Sequence, residues 1–234
     1  MKSKNQTARI SLTLADRMST IMNGETHMHA ILIHGMGRTP MAMSILAARL
    51  WAAHIRPHLF GYSVTFEGWD ECIQRLETFI TKRVKTNEYI MIGHSLGSIL
   101  TRATLPRLNH QPAACFFLAS PTQVCKAART FAHYHVVKLL MGEIGQRLAD
   151  KQFMESLPLT GVPTKIYAGT GGPRGRYSPF GEELNDGVLT VKETLLPSVP
   201  IQTIPVLHTF IMNSRVVSQD IVNTAKLPSP MNPS

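Results

Sequence analysis

The chain has 234 residues, of which 44% are hydrophobic and 17% are charged. This composition supplies enough apolar material for a sizeable core and too little charge for a disordered chain. No apolar run approaches the roughly 18 residues that a membrane-spanning helix needs, so we expect no such helix.

Basic residues exceed acidic ones by 24 to 15, which gives a formal net charge of +9. No stretch holds five consecutive basic residues, and aromatic side chains are not interleaved with them as they are in single-strand binders. We therefore expect no nucleic-acid partner. Weak association with an anionic membrane surface remains an open alternative, and the sequence leaves the oligomeric state undetermined.

The two ends of the chain are predicted to be loose extensions around one domain at residues 26–225. Residues 1–25 are basic and lack the continuous apolar stretch of a secretory signal. Residues 226–234 contain three prolines and cannot continue a helix or a central strand. The chain has three cysteines and no C-x-x-C pair, which favours reduced thiols and predicts a cytoplasmic location.

Short apolar runs alternate with amphipathic helical patterns along the domain. The predicted strands cover residues 29–33, 61–66, 89–92, 113–119, 165–168 and 201–206, and the predicted helices cover residues 38–54, 69–84, 98–108 and 210–222. This alternation predicts an α/β fold with a mostly parallel sheet and helices on both faces. Residues 122–160, approximately, are predicted to form a short helical cap, which is either a lid that binds acyl chains or an element that packs on the domain.

The motif that points to chemistry is Gly-His-Ser-Leu-Gly at residues 93–97, which matches G-x-S-x-G. It lies between a predicted strand and a predicted helix, where a sharp turn projects the serine hydroxyl above the sheet. Gly93 and Gly97 lack Cβ atoms and so let neighbouring backbone approach closely. The start of the helix offers free N–H groups to developing negative charge. We predict Ser95 as a nucleophile; the alternative is a turn bracketed by glycines in which the serine only caps the helix.

With this motif the sequence resembles the α/β-hydrolase superfamily, and within it the small lipases and esterases. The resemblance covers about residues 28–222. It rests on His-Gly-Met-Gly at 34–37, the serine motif at 93–97, Asn-Asp-Gly-Val at 185–188 and His208, in this order along the chain. It implies the α/β-hydrolase fold and a catalytic order of serine, acid and histidine.

That order selects Asp186 and His208 as the acid and the base. Each lies in a loop after a predicted strand, at the edge of the sheet where ligands bind in open α/β folds. Lipases of this kind similarly carry an Asn-Asp-Gly turn for the acid. Glu182 and Glu183, in the same loop, remain alternative acids.

Other histidines are weaker candidates for the base. The resemblance places His34 in the oxyanion loop as a structural residue. Closely spaced pairs such as His27 and His29 suggest a metal, but no carboxylate or cysteine completes a ligand set, so we expect them to be surface histidines. We predict no metal and no other cofactor. Supporting roles in the site are expected for His34, Gly35, Gly93, His94 and Gly97.

The resulting hypothesis is a serine hydrolase that cleaves carboxylic esters through an acyl-enzyme on Ser95. The backbone N–H groups of Met36 and Leu96 are expected to bind the oxyanion. The predicted substrate is a small acyl ester, with lipid-like esters included. Two alternatives stay open: a thioesterase or acyltransferase with the same triad, and a catalytically silent binding protein on this fold.

Overall fold

Six parallel strands form one sheet in the computed structural model, which describes residues 28–124 and 142–226. Neighbouring strands follow the order β2-β1-β3-β4-β5-β6, and each of the five pairs is parallel. The strands are β1 (Met28–Ile33), β2 (Ile55–Phe60), β3 (Glu88–His94), β4 (Ala114–Leu118), β5 (Thr164–Gly169) and β6 (Ile201–Ile204). The predicted α/β class with a parallel sheet is confirmed.

The helices of the described residues lie between these strands and after the last of them. They are α1 (Ser44–Ala52), α2 (Trp69–Val84), α3 (Leu96–Thr104), α4 (Gly142–Arg147), α5 (Lys151–Ser156) and α6 (Arg215–Lys226), with 3-10 turns at Pro40–Met43, Leu105–Arg107, Val191–Thr194 and His208–Asn213. Helix α2 has the predicted bounds. Acidic side chains in its first turn and basic ones in its last turn complement the helix dipole.

Apolar residues on both faces of the sheet form two core clusters. In β1, Ile31 and Ile33 join the cluster that includes α2 and α3, whereas Ala30 and Leu32 join the cluster that includes α1 and α6. This is the period-two alternation of a strand covered on both sides. The helices on both faces are therefore confirmed.

The predicted strand at residues 61–66 is wrong. The strand lies just before it, at Ile55–Phe60, and pairs in register with β1. Pro57 weakens the strand signal of this stretch, but a proline is tolerated here because β2 is the edge of the described sheet. Residues 61–68 instead form a loop in which the Ser63 N–H donates to the Glu67 carboxylate over 2.9 Å.

The described part of the predicted cap, residues 142–160, packs on the start of α2. The Glu143 carboxylate accepts from the Trp69 N–H over 3.3 Å, and the Phe153 ring stands edge-on to the Trp69 indole with centroids 4.8 Å apart. Residues 125–141 of the predicted cap lie outside the described residues, as do 1–27 and 227–234. In the part of the chain that is described, no helix has both the length and the apolar content to cross a membrane.

A buried arginine connects the residues that follow α5 to α3. Arg102 Nη2 donates to the Leu157 carbonyl over 2.8 Å and its Nε donates to the Pro158 carbonyl over 3.1 Å. Arg102 is only 2% exposed, and burial lowers the pKa of its guanidinium. The end of α5 is thus bound to the helix that begins beside Ser95.

Helix α3 lies unusually close to the end of β1. A Cβ atom on Gly97 would stand 2.2 Å from the Ile33 carbonyl oxygen, and one on Gly93 would stand 2.5 Å from the Ser98 amide nitrogen. Both neighbours are backbone atoms, which cannot rotate away as a side chain would. Glycine at these positions is what lets the strand, the turn and the helix pack at this distance.

His29 is buried, contrary to the surface position expected for it. Its Nδ1 lies 3.2 Å from Nε2 of His58, which pairs with Ile31 in the register of β1 and β2, and both residues are at most 9% exposed. Burial lowers the pKa of His29. Burial, followed by the charges of His29, Arg56 and Arg83, lowers the pKa of His58 to about 4.

This histidine pair predicts acid sensitivity. Because the folded-state pKa values lie below the ordinary value of 6.5, the unfolded chain binds protons first as the pH falls. The stability that the pair contributes is complete above about pH 6.5 and is lost towards pH 4. Between about pH 7.5 and pH 5 we expect the wild type to lose about 1–2 kcal/mol more unfolding free energy than His58→Gln. Urea titrations at the two pH values measure it.

The matched control is His54→Asn, which removes an exposed histidine whose φ of 62° asparagine also tolerates. This variant should keep the acid sensitivity of the wild type. Equal losses in the wild type and His58→Gln would show that the pair does not titrate as described.

The packing of α3 predicts that Gly97→Ala is strongly destabilising. The added methyl meets the Ile33 carbonyl, so strand and helix must separate at a cost of about 1–3 kcal/mol or more. Gly161→Ala is the matched control, since a Cβ there meets nothing within 4 Å. Thermal and urea unfolding of the two variants measure the difference, and similar losses in both would contradict the close packing.

Candidate active site

Ser95 lies in the sharp turn between β3 and α3, with φ 50° and ψ −119°. A positive φ is unfavourable for a residue with a side chain and costs on the order of 1–3 kcal/mol. The Ser95 N–H donates to the Leu118 carbonyl of β4 over 2.9 Å, and the Ser98 N–H donates to the Ser95 carbonyl over 3.0 Å. Neighbouring strand and helix therefore hold the serine in this conformation, with its side chain partly exposed at the end of the sheet.

The loop after β1 lies directly against this turn. A Cβ atom on Gly35 would stand 3.1 Å from the Ser95 Cβ and 2.7 Å from His94 Nδ1. His34 is buried, and its ring stacks on Tyr62 with centroids 4.4 Å apart and planes 9° apart. Met36, the next residue of the loop, is partly buried.

Tyr62 is a site residue that the sequence did not reveal. Its hydroxyl donates to the His34 carbonyl over 2.9 Å, and burial raises its pKa well above the ordinary value. The hydroxyl therefore stays protonated and remains a donor. The sequence analysis places Tyr62 in a strand at 61–66. In the structure it belongs to the loop after β2, where it can reach the His34 carbonyl.

Asp186 and His208 are in direct contact. Asp186 Oδ2 lies 2.7 Å from His208 Nδ1, and the His208 N–H donates to the Asp186 carbonyl over 2.9 Å. The other carboxylate oxygen accepts from the N–H groups of Val188 and Leu189 over 2.9 and 2.7 Å. Asp186 is 2% exposed and His208 is 9% exposed. Both oxygens of a buried acid are thus occupied, one of them by the imidazole.

The turn that carries Asp186 is built by its neighbours. The Asn185 Oδ1 accepts from the Gly187 N–H over 2.9 Å, and Gly187 has a φ of 91°. Of the two alternative acids, Glu183 pairs with Lys192 over 2.9 Å and Glu182 is exposed. The carboxylate that contacts His208 is that of Asp186.

His94 joins the serine turn to the loop of His208. Its Nε2 lies 3.0 Å from the His208 carbonyl oxygen, and the two ring centroids are 5.0 Å apart. Among the described residues the Ser95 hydroxyl makes no hydrogen bond; the link between the serine turn and the His208 loop is the His94 ring, which precedes Ser95 in the chain. Catalytic hydrogen bonds are often long without substrate and tighten when it binds.

The segment His208–Asn213 has two further attachments. Arg38, which follows the loop at residues 34–37, donates to Thr209 Oγ1 over 2.8 Å. Arg49 of α1 donates to the Asn213 carbonyl over 2.7 Å. This 3-10 segment is thus hydrogen-bonded both to the residue that follows the β1 loop and to α1.

The described residues contain no group of three or more histidine, cysteine, aspartate or glutamate side chains placed to hold a metal ion. The side chains in contact here are those of Asp186 and His208, and His94 connects the His208 backbone to the turn that carries Ser95. Such a set is suited to acyl transfer through a covalent intermediate.

No protein-family model and no curated protein sequence matches the chain. Solved structures do. The mature lipase BlEst2 of Bacillus licheniformis is 15% identical, with a TM-score of 0.67 over 86% of this chain and 93% of that one. An esterase of Exiguobacterium antarcticum is 10% identical, with a TM-score of 0.63 over 87% and 93%. The thioesterase RedJ of Streptomyces coelicolor is 11% identical, with a TM-score of 0.56 over 86% and 85%.

These similar structures, the six parallel strands and the helices on both faces agree on the architecture. The chain has the α/β-hydrolase fold.

Proposed function

We propose that the protein is a serine hydrolase that cleaves carboxylic esters through an acyl-enzyme on Ser95. The observation that carries the proposal is the buried 2.7 Å contact between Asp186 and His208, at the same end of the sheet as the strained Ser95 turn. Lipases and esterases among the similar solved structures support it.

In this mechanism Ser95 Oγ attacks the acyl carbonyl while His208 Nε2 takes the hydroxyl proton. Asp186 accepts a hydrogen bond from the Nδ1–H of His208. This bond leaves Nε2 unprotonated as the base and stabilises the imidazolium once it forms. The imidazolium then protonates the leaving alcohol as the tetrahedral intermediate collapses to the acyl-enzyme. Water then attacks the acyl-enzyme while His208 takes one of its protons. As the second tetrahedral intermediate collapses, the imidazolium returns this proton to Ser95 Oγ, and the carboxylic acid is released.

Two backbone N–H groups, those of Leu96 and Met36, are proposed to bind the oxyanion. Leu96 is the first residue of α3, and N–H groups in the first turn have no partner within the helix. Its position also benefits from the positive end of the helix dipole. The close approach of Gly35 to Ser95 supports the second donor, since Met36 follows Gly35 directly.

Apolar side chains beside His208 favour an acyl ester as substrate. Leu207 and Phe210 are 41% and 53% exposed, and Met41, in the 3-10 turn that follows the loop at residues 34–37, is 69% exposed. Exposed apolar groups near a polar site are typical of places that bind apolar ligands. Association with an anionic membrane surface stays a prediction.

A thioesterase is the second candidate, favoured by the similarity to RedJ. The proposed triad is the same for esters and thioesters, and the leaving group distinguishes them. Parallel assays with p-nitrophenyl esters of increasing chain length and with acyl-CoA thioesters separate the two. Turnover of thioesters alone would overturn the esterase assignment and leave the serine mechanism intact.

Replacement of the nucleophile tests the proposed chemistry directly. A fluorophosphonate probe should label the wild type and should not label Ser95→Ala, because the probe requires the activated hydroxyl. Ser156→Ala, a change at an exposed serine in α5, should be labelled like the wild type. An unlabelled wild type, or equal labelling of Ser95→Ala, would favour a silent binding protein.

Replacement of the acid tests the assignment within the loop. Asp186→Asn should keep the fold but favour the wrong tautomer of His208, and should lower kcat by about 10⁴-fold. The controls Glu182→Gln and Glu183→Gln should retain kcat. Steady-state kinetics on a p-nitrophenyl ester measure all three; near-full kcat in Asp186→Asn with a loss in either glutamate variant would move the acid to that residue.

A further inference from the structure

Only one of the two nitrogens in the buried ring of His94 has a hydrogen-bond partner among the described residues. Its Nε2 faces the His208 carbonyl at 3.0 Å. A carbonyl only accepts hydrogen bonds, so Nε2 carries the proton and donates. The other ring nitrogen, Nδ1, is buried without a hydrogen-bond partner among the described residues, and Gly35 lies against it.

This arrangement keeps His94 neutral. A second proton would place a charged N–H at Nδ1 with no acceptor. Burial, followed by the charge of His208, lowers the pKa of His94 to about 3; Arg38 and His34 act in the same direction, and the bond to the His208 backbone opposes them. His94 thus donates the same hydrogen bond throughout the range in which an ordinary histidine titrates, and does not compete with His208 for its proton.

The bond has a particular place among the restraints on His208. Asp186 holds the imidazole and the backbone N–H of His208 from the acid side. Arg38 holds the following residue, Thr209, through an exposed side chain. His94 precedes Ser95 in the chain, so its bond connects the backbone that carries the nucleophile to the backbone that carries the base.

We propose that His94 is a positioning residue: its Nε2–H fixes the base loop relative to Ser95, so that the His208 imidazole meets the serine hydroxyl when substrate is bound. The proposal rests on the proposed function and adds a residue to it. Loss of the bond leaves the Asp186–His208 contact in place, but the distance from the His208 imidazole to Ser95 is then no longer fixed. Displacements of about 1 Å in such a geometry can cost about 10²-fold in rate.

The test compares two side chains of the same length. In His94→Gln the amide nitrogen reaches the position of Nε2 and can donate to the His208 carbonyl, whereas His94→Met fills a similar volume without a donor. We expect H94M to lower kcat on a p-nitrophenyl ester by about 10²-fold with KM unchanged. H94Q should recover most of that loss, and H54N serves as the histidine control.

Labelling by the fluorophosphonate probe separates positioning from misfolding. In H94M the final labelled fraction should equal that of the wild type while the rate of labelling falls. Equal kcat in H94M and the wild type, or equal losses in H94M and H94Q with full labelled fractions, would overturn the proposal.

A measurement on the wild type guards against variants that fail to fold. In ¹⁵N NMR the His94 ring should show the neutral form protonated at Nε2 from about pH 5 to pH 9, with no titration step of its own. A proton at Nδ1, or a titration of His94 within this range, would overturn the proposal. If the wild type is not labelled by the probe, the proposed hydrolase fails, and the NMR result still reports whether the His94 bond exists.

Discussion

The backbone conformation at Ser95 is the constraint on which the rest of the site depends. A positive φ at a residue with a side chain is unfavourable, and it persists because the turn is held by β4, by the start of α3 and by close backbone packing against β1. Gly97 permits the packing against β1, and Gly93 permits the first turn of α3 to lie close to β3. The stability of the sheet and helices thus maintains a local strain that places one hydroxyl above the end of the sheet.

The parallel sheet brings the loops of the other candidate site residues to the same edge as this turn. Since all six strands point the same way, the loops after β1, β3, β5 and β6 emerge at one edge. They bring Gly35, Ser95, Asp186 and His208 from positions far apart in the chain. Side-chain bonds to backbone then fix the loops relative to one another: Tyr62 binds the first loop, and His94 binds the last. Each of these donors is buried or partly buried, where a hydrogen bond is little weakened by water.

Much of this could be predicted from the sequence, because the informative signals were local. The bounds of α2 follow from a strong helical period, and the serine motif carries its own strand-turn-helix context. The sequence determines the acid less well, because three carboxylates lie close together in one loop and only a contact in the folded chain distinguishes them; Asp186 is the one that contacts the imidazole. Its catalytic role stays a prediction.

What the sequence concealed depends on contacts between strands. Pro57 argues against a strand at residues 55–60, because proline is tolerated only in an edge strand. That β2 is an edge strand follows from the sheet order, which the sequence does not reveal. The same error in β2 places Tyr62 in a strand and not in the loop beside His34. The surface position expected for His29 is a separate error: the absence of a ligand set argues against a metal but does not exclude burial, and the residue is buried against His58 of β2.

The attachment of residues 157–158 to Arg102 has a mechanical consequence. Within the described structure the hydrogen-bond acceptors of this buried cation are the carbonyls of these two residues, and one of its nitrogens has none. Swinging residues 157–158 away would strip the guanidinium of these acceptors inside an apolar surrounding, which is energetically costly. The end of α5 should therefore travel with α3 as one rigid unit.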